Sequence, residues 1–178
     1  MKKIVSSLVS LVFLSFSSSA FANSEFIESV QVKIYELGAN NTKKPIGIIT
    51  VEESNRGLIF TPDLSLLPEG SHGFHIHENP SCNIKNEIIG GAAGGHYDPH
   101  NTKKHLGAYN VNGHLGDLPA LYVDEHGQAK MSVLAPRIMK LSEIKNRSLI
   151  IHVGGDNQSD KPLPLGGGGA RLACGVIE

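Results

Sequence analysis

The sequence predicts an all-β chain, an antiparallel sandwich or barrel, and three observations carry that prediction. Alternation of apolar and polar residues is frequent, turn-forming clusters punctuate it at short intervals, and helical periodicity is scarce after the first two dozen residues. In "VQVKIYEL", Val30, Val32 and Ile34 fall on one face while Gln31, Lys33 and Tyr35 fall on the other. Further strand candidates are "IGIITVEE", "RGLIFTP", "HGFHIHE", "AKMSVLAP", "SLIIHVG" and "LACGVIE". The segments "GANN", "ESNRG", "PEGSHG" and "DEHG" separate them, supplying the glycines and asparagines that tight turns require. Many short strands with such punctuation favour a sandwich or barrel over an α/β fold. The segment "LSEIKN" is expected to form one helical turn.

The amino terminus reads differently. "MKKIVSSLVSLVFLSFSSSAFA" has Lys2 and Lys3 as a charged start, an apolar run from Ile4 to Phe16, and Ala20-Phe21-Ala22 as a small-x-small cleavage pattern. The run is short and serine-rich for a membrane anchor. Residues 1–22 are therefore expected to be a signal peptide and residues 23–178 a single exported domain. Two cysteines, Cys82 and Cys174, in an exported chain of this size make one disulfide the default expectation. With the signal removed, 14 basic residues face 17 acidic ones, a net charge of about −3 with no basic block. That excludes an electrostatic case for nucleic acid or a membrane surface as partner.

Two regions break the strand pattern. Residues 78–119 are rich in Gly, Asn, His and Pro and show little periodicity, and residues 154–169, "GGDNQSDKPLPLGGGG", form a second irregular stretch. Loops of forty residues inside compact domains are usually functional or disordered. Of nine histidines, six form a spaced series with one aspartate: His75-x-His77, His96, His105, His114-x-x-Asp117 and His152. A spacing of two places His75 and His77 on one face of a strand, whereas on a helix they would point apart. Four of the seven donors lie inside the long loop, which a bound metal could order with free energy on the order of 10 kcal/mol. Imidazole with carboxylate suits zinc, and an all-imidazole set also suits copper. Two four-coordinate ions need eight positions and the series offers seven side chains. One ring could serve both ions through its two nitrogens, or a water could fill the eighth position. His72, His100 and His126 are expected to be solvated or hydrogen-bonded, not ligands.

At these residues the chain resembles the copper,zinc superoxide dismutase family, in its exported bacterial branch. The segments that carry the resemblance are "HGFHIHE", "GGHYDP", "KHLG", "GHLGDLPAL", "IIHVGGDN" and "GGGGARLACGVIE", in family order from residue 72 to the C-terminus. The resemblance implies a Greek-key β-sandwich or flattened barrel of about eight strands with two long functional loops. It implies that His75, His77, His96 and His152 bind copper, that His96 bridges to zinc, and that His105, His114 and Asp117 complete the zinc set. It implies a Cys82–Cys174 disulfide, Arg171 as the group that attracts and orients the substrate anion, and Asp156 as a hydrogen-bond partner of ligand histidines in both sets. The implied activity is dismutation of superoxide to dioxygen and hydrogen peroxide, an antioxidant defence in the periplasm, with His96 passing a proton to the departing peroxide. A homodimer is compatible with the family. Ala108 in "HLGAYN" stands where many relatives carry proline, a difference in the loop and not in a ligand.

Two other functions draw on the same residues. A metal-buffering protein would use the seven donors but would not require Arg171. A zinc hydrolase would require an open metal position and a nearby base, which a closed His/His/His/Asp set does not provide.

Overall fold

The computed structural model describes residues 28–178, so the expected signal peptide and its cleavage point lie outside the described residues. Nine strands account for the regular structure: β1 (Ser29–Leu37), β2 (Lys43–Ser54), β3 (Gly57–Leu64), β4 (Gly70–His72), β5 (Phe74–His77), β6 (Leu121–Val123), β7 (Val133–Ala135), β8 (Arg147–His152) and β9 (Arg171–Ile177). Seven form one curled antiparallel sheet in the order β5-β8-β9-β1-β2-β3-β7, and β4 pairs with β6 in a small second sheet. The all-β expectation holds, with short 3₁₀ turns as the only helical elements among the described residues. One of these, Leu141–Glu143, occupies "LSEIKN" as expected.

Alternation places the core. Val32 and Ile34 of β1, Ile49 and Val51 of β2, Leu58 and Phe60 of β3 and Leu149 and Ile151 of β8 are all buried in one cluster. Phe74 and Ile76 of β5 join it, and the Phe60 and Phe74 rings meet edge to face at 5.8 Å. Burying such side chains contributes about 1.5–3 kcal/mol each. Because Phe74 and Ile76 point inward, His75 and His77 must point to the other face of β5. That face is buried too, since all four residues of β5 are inaccessible.

Two expectations need adjustment, and one strand was not anticipated. "HGFHIHE" is two strands, β4 and β5, because the chain changes sheets at Gly73. "AKMSVLAP" is strand only at Val133–Ala135. β6 lies in "LPALYVDEHG", where three residues are too few for alternation to register.

The sheet leaves β5 as an edge, and the long loop covers it. The Ile76 amide donates to the Gly116 carbonyl at 2.9 Å, the Tyr97 amide to Ile76 at 2.8 Å, and the Glu78 amide to Gly95 at 3.1 Å. These bonds satisfy an otherwise exposed strand edge. They also lay the loop's His96 beside His77 and its Asp117 beside His75, as single bridge pairs. Gly116 permits the approach: a Cβ there would sit 2.3 Å from the Ile76 carbonyl oxygen.

Candidate metal centre

Four ring nitrogens from His75, His77, His96 and His152 converge closely enough to hold one cation, and His96, His105, His114 and Asp117 converge to hold a second. Every one of these residues is buried. β5 supplies the first two rings. β8 supplies His152 just past a register shift after Ile151 that turns its ring toward them. The edge-covering loop supplies the rest. The His75 and His96 rings stack with centroids 4.0 Å apart.

Hydrogen bonds settle which nitrogen of each ring is available. His77 donates from Nδ1 to the Gly94 carbonyl at 3.0 Å, and His152 from Nδ1 to the Gly169 carbonyl at 3.1 Å. A neutral ring that donates from one nitrogen presents a lone pair at the other, so both present Nε2 to the shared space. His75 donates from Nε2 to Asp156 Oδ2 at 2.8 Å and so presents Nδ1. The buried ring nitrogens without a hydrogen-bond partner are His75 Nδ1, His77 Nε2, His96 Nε2, His105 Nδ1, His114 Nδ1 and His152 Nε2. Buried unpartnered polar atoms cost about 1–3 kcal/mol each, and six aimed at two points are a donor set for cations. In the second group, Asp117 Oδ1 lies 2.9 Å from His96 Nδ1, 3.0 Å from His105 Nδ1 and 3.3 Å from His114 Nδ1. His96 therefore has one nitrogen with each group, the arrangement that a ring shared by two ions would use.

Asp156 spans the two groups. Its Oδ2 accepts from His75 and its Oδ1 lies 2.8 Å from His105 Nε2. Its carboxyl is buried, but bonds from His105, His75 and the Gln158 amide hold its pKa below the usual carboxylate range. Burial likewise opposes ionisation at Asp117 and is outweighed by the imidazoles of His105, His114 and His96 beside it, so its pKa is strongly lowered. Arg171 sits directly opposite His152 in the β8–β9 register. Its guanidinium donates to the carbonyls of Gly90 and Gly94, so Gly94 is shared by Arg171 and His77. Cys82 and Cys174 form a disulfide that joins the loop to β9, packed with Ala93 and Ile150.

Of the histidines set aside, His100 and His126 are exposed. His72 is buried, its ring nitrogens 2.8 Å from the His152 carbonyl and 2.9 Å from the Pro68 carbonyl. Its place in "HGFHIH" gave no sign of that bridge, because both partners are backbone atoms.

Burial makes protonation of the first group costly. It outweighs the Asp156 bond at His75, whose pKa falls to about 3, and outweighs the Gly169 bond at His152, whose pKa falls to about 4. His105 goes the other way. Burial there is overcome by the adjacent Asp117 carboxylate and by the bond to Asp156, and its pKa rises to about 9. To bind a cation through Nδ1, His105 must release that proton. The affinity of the second group should therefore climb as pH rises toward about 9, by up to about tenfold per unit. Burial lowers the pKa of every ring in the first group, so its affinity should depend on pH less steeply than that of the second between about pH 5 and 8. Competitive metal titrations across that range check this, and equal slopes for the two groups would contradict it.

The chain matches the family described as copper/zinc superoxide dismutase (SODC) over residues 46–177. It is 54% identical over 154 residues to Superoxide dismutase [Cu-Zn] of Haemophilus parainfluenzae, covering 84% of this chain and 82% of that one. The chain belongs to the copper/zinc superoxide dismutase family. Among solved structures, the Cu/Zn superoxide dismutase from Brucella abortus superposes with a TM-score of 0.81 at 52% identity, covering 85% of this chain and all of that one. The monomeric copper, zinc superoxide dismutase from Salmonella enterica superposes with a TM-score of 0.75 at 51% identity, covering 85% and 100%. As a family member, the chain's two histidine groups are the places to look for the family's two metals, and the orphaned nitrogens above fit both.

Proposed function

We propose that this protein dismutates superoxide to dioxygen and hydrogen peroxide at paired copper and zinc sites. The observation that supports it most strongly is the set of six buried, unpartnered imidazole nitrogens converging on two neighbouring points with His96 between them. His75, His77, His96 and His152 would hold copper; His96, His105, His114 and Asp117 would hold zinc. When bound, copper supplies one-electron exchange with superoxide, while zinc, which has no redox chemistry, supplies charge and order.

The chain's own residues do the remainder. His75 and His77, fixed on β5 and hydrogen-bonded at their far nitrogens, would give copper a stiff frame. His96 can hold a proton at Nε2 whenever that nitrogen is not ligating, and hand it to the departing product. Arg171, fixed by the Gly90 and Gly94 carbonyls, places a positive charge near enough to act on His77 and His152. A fixed guanidinium there attracts and orients a small anion. Arg171 also favours catalysis over metal buffering, since storage needs no anion guide.

Metal analysis of the purified protein, read with activity, tests the proposal. About one copper and one zinc per chain with superoxide consumption supports it; zinc alone without dismutation supports the buffering protein. Arg171→Ala should lower kcat/KM by about 10–100-fold and flatten its dependence on ionic strength. An unchanged rate would remove Arg171 from the reaction. Residues 1–22 are read as an export signal and residues 23–178 as the periplasmic domain, and the mass of the exported chain should correspond to a start at Asn23. Homodimer and monomer are the two readings of assembly, the second being that of the monomeric Salmonella enterica relative; sedimentation decides between them.

A further inference from the structure

The zinc half of the centre rests on residues 104–117, which contain turns but no strand or helix. Such a segment has few backbone partners of its own, so its shape must come from outside. One side chain supplies much of it. Arg137 donates from Nε to the Ala108 carbonyl at 2.8 Å, from Nη1 to Gly113 at 3.2 Å, and from Nη2 to Gly107 at 3.4 Å and to His114. Four carbonyls of the loop, including that of the zinc-set residue His114, thus share one guanidinium.

Arg137 is well placed to hold still. It follows β7, and the next residue, Ile138, is fully buried and accepts the Leu58 amide at 2.8 Å. Its fork is rigid and permanently charged, so fewer degrees of freedom are lost per bond than with lysine. From the opposite side, Asp117 Oδ2 accepts the amides of Leu106 and Gly107 at 3.2 and 3.3 Å. Gly107 is therefore gripped at its N–H by a carboxylate and at its C=O by a guanidinium, one on each of its flanking peptide groups. Gly107 also needs its φ of +78°, and a Cβ there would meet the Gln158 side chain at 2.7 Å.

The topology gives this contact its reach. β5 and β7 are the two edges of the curled seven-stranded sheet. The loop is paired to β5 by backbone hydrogen bonds, and Arg137 ties the same loop to the β7 end. The latch spans the open side of the half-barrel.

We propose that Arg137 is a positioning residue that preforms the zinc half of the centre, holding residues 107–114 in their bound arrangement before any metal arrives. The proposal rests on the zinc assignment above, but its first test does not. In the metal-free wild-type chain, the His114 amide, which donates to Lys104, and the Gly113 amide, which donates to Asn110, should stay protected from hydrogen exchange. In Arg137→Ala they should exchange at least about tenfold faster. Because no metal is present, this reading succeeds or fails whatever the second group binds.

The second test is a split between metals. Arg137→Ala should weaken zinc binding by about 10–100-fold while leaving copper affinity within about threefold. Arg137→Lys should recover part of the loss, since an ammonium can reach one or two of the four carbonyls. A merely structural role would lower both affinities together, in step with the melting temperature. The proposal is overturned by that pattern, by zinc affinity unchanged in Arg137→Ala, or by free exchange of the loop amides in metal-free wild type. Should Arg137→Ala fail to fold, the wild-type exchange and the lysine variant still decide.

Discussion

His96→Ala is expected to lose tight binding of both metals at once, the largest effect of any single substitution in this chain. His96 is the one residue that belongs to both donor groups, with Nε2 in the first and Nδ1 beside Asp117 Oδ1 in the second. Structural zinc sites bind with about 10–16 kcal/mol, so a quarter share is about 3 kcal/mol, or roughly 10²-fold in affinity for each ion. The loss also removes the stacking partner of His75 and leaves Asp117 with one fewer imidazole. Protein-dependent dismutation should disappear, because neither the copper frame nor the proton carrier survives. His77→Ala is the comparison: it belongs to the first group alone and should release copper while zinc stays. His126→Ala, at an exposed position, should change neither metal. Isothermal titration or chelator competition reads all three, and retention of zinc at wild-type affinity in His96→Ala would refute the shared ring.

Reducing the Cys82–Cys174 disulfide should cost the next largest amount, and it should reach the centre as well as the fold. The bond closes a sequence separation of 92 residues. The chain-entropy account gives about 4–5 kcal/mol for such a loop, a model-dependent upper figure. That corresponds to a fall in melting temperature of roughly 10–20 °C for a domain of this size. The functional part follows from what Cys82 holds. It anchors the segment whose Gly90 and Gly94 carbonyls fix Arg171, and Gly94 also orients His77. Reduced protein, or Cys82→Ser, should therefore lose copper faster and show a weaker dependence on substrate charge, beyond its lower stability. Calorimetry paired with metal release checks this; unchanged melting temperature and unchanged metal retention would contradict it.

Much of the centre was legible because its donors are side chains of rare types in an ordered series. All seven predicted metal donors lie in the two groups that the fold assembles. Asp156 and the cysteine pair were legible on the same terms, by resemblance to the family, and they meet the partners expected of them. Strands β1, β2, β3, β8 and β9, each six residues or longer, were legible, β1 by alternation and the others as apolar-rich runs between turn-formers. Of the three-residue strands, β4 and β7 overlapped longer candidates and only β6 went unread, since alternation over so short a run is indistinguishable from chance. β4 and β5 read as one strand because the switch between sheets occurs at a single glycine, Gly73, whose amide donates to Gly154 and whose carbonyl accepts from His152. Arg137 gave no signal at all. An arginine after a short strand is ordinarily a solvated charge, and its four partners are backbone carbonyls of a loop that precedes it by more than twenty residues.

What the amino acids alone determined is therefore the inventory: an all-β chain, the seven side chains that the fold gathers into two candidate metal groups, one disulfide, and the family to which such a series belongs. Only the tertiary structure decided which nitrogen each imidazole offers and how the long loop is held. The physical reason is that tautomer and loop shape depend on backbone atoms: the carbonyls of Gly94 and Gly169 orient two rings, and those of Gly107 to His114 receive Arg137. Every residue carries a carbonyl, so its identity says nothing about what that oxygen will meet; packing alone brings the partner to it.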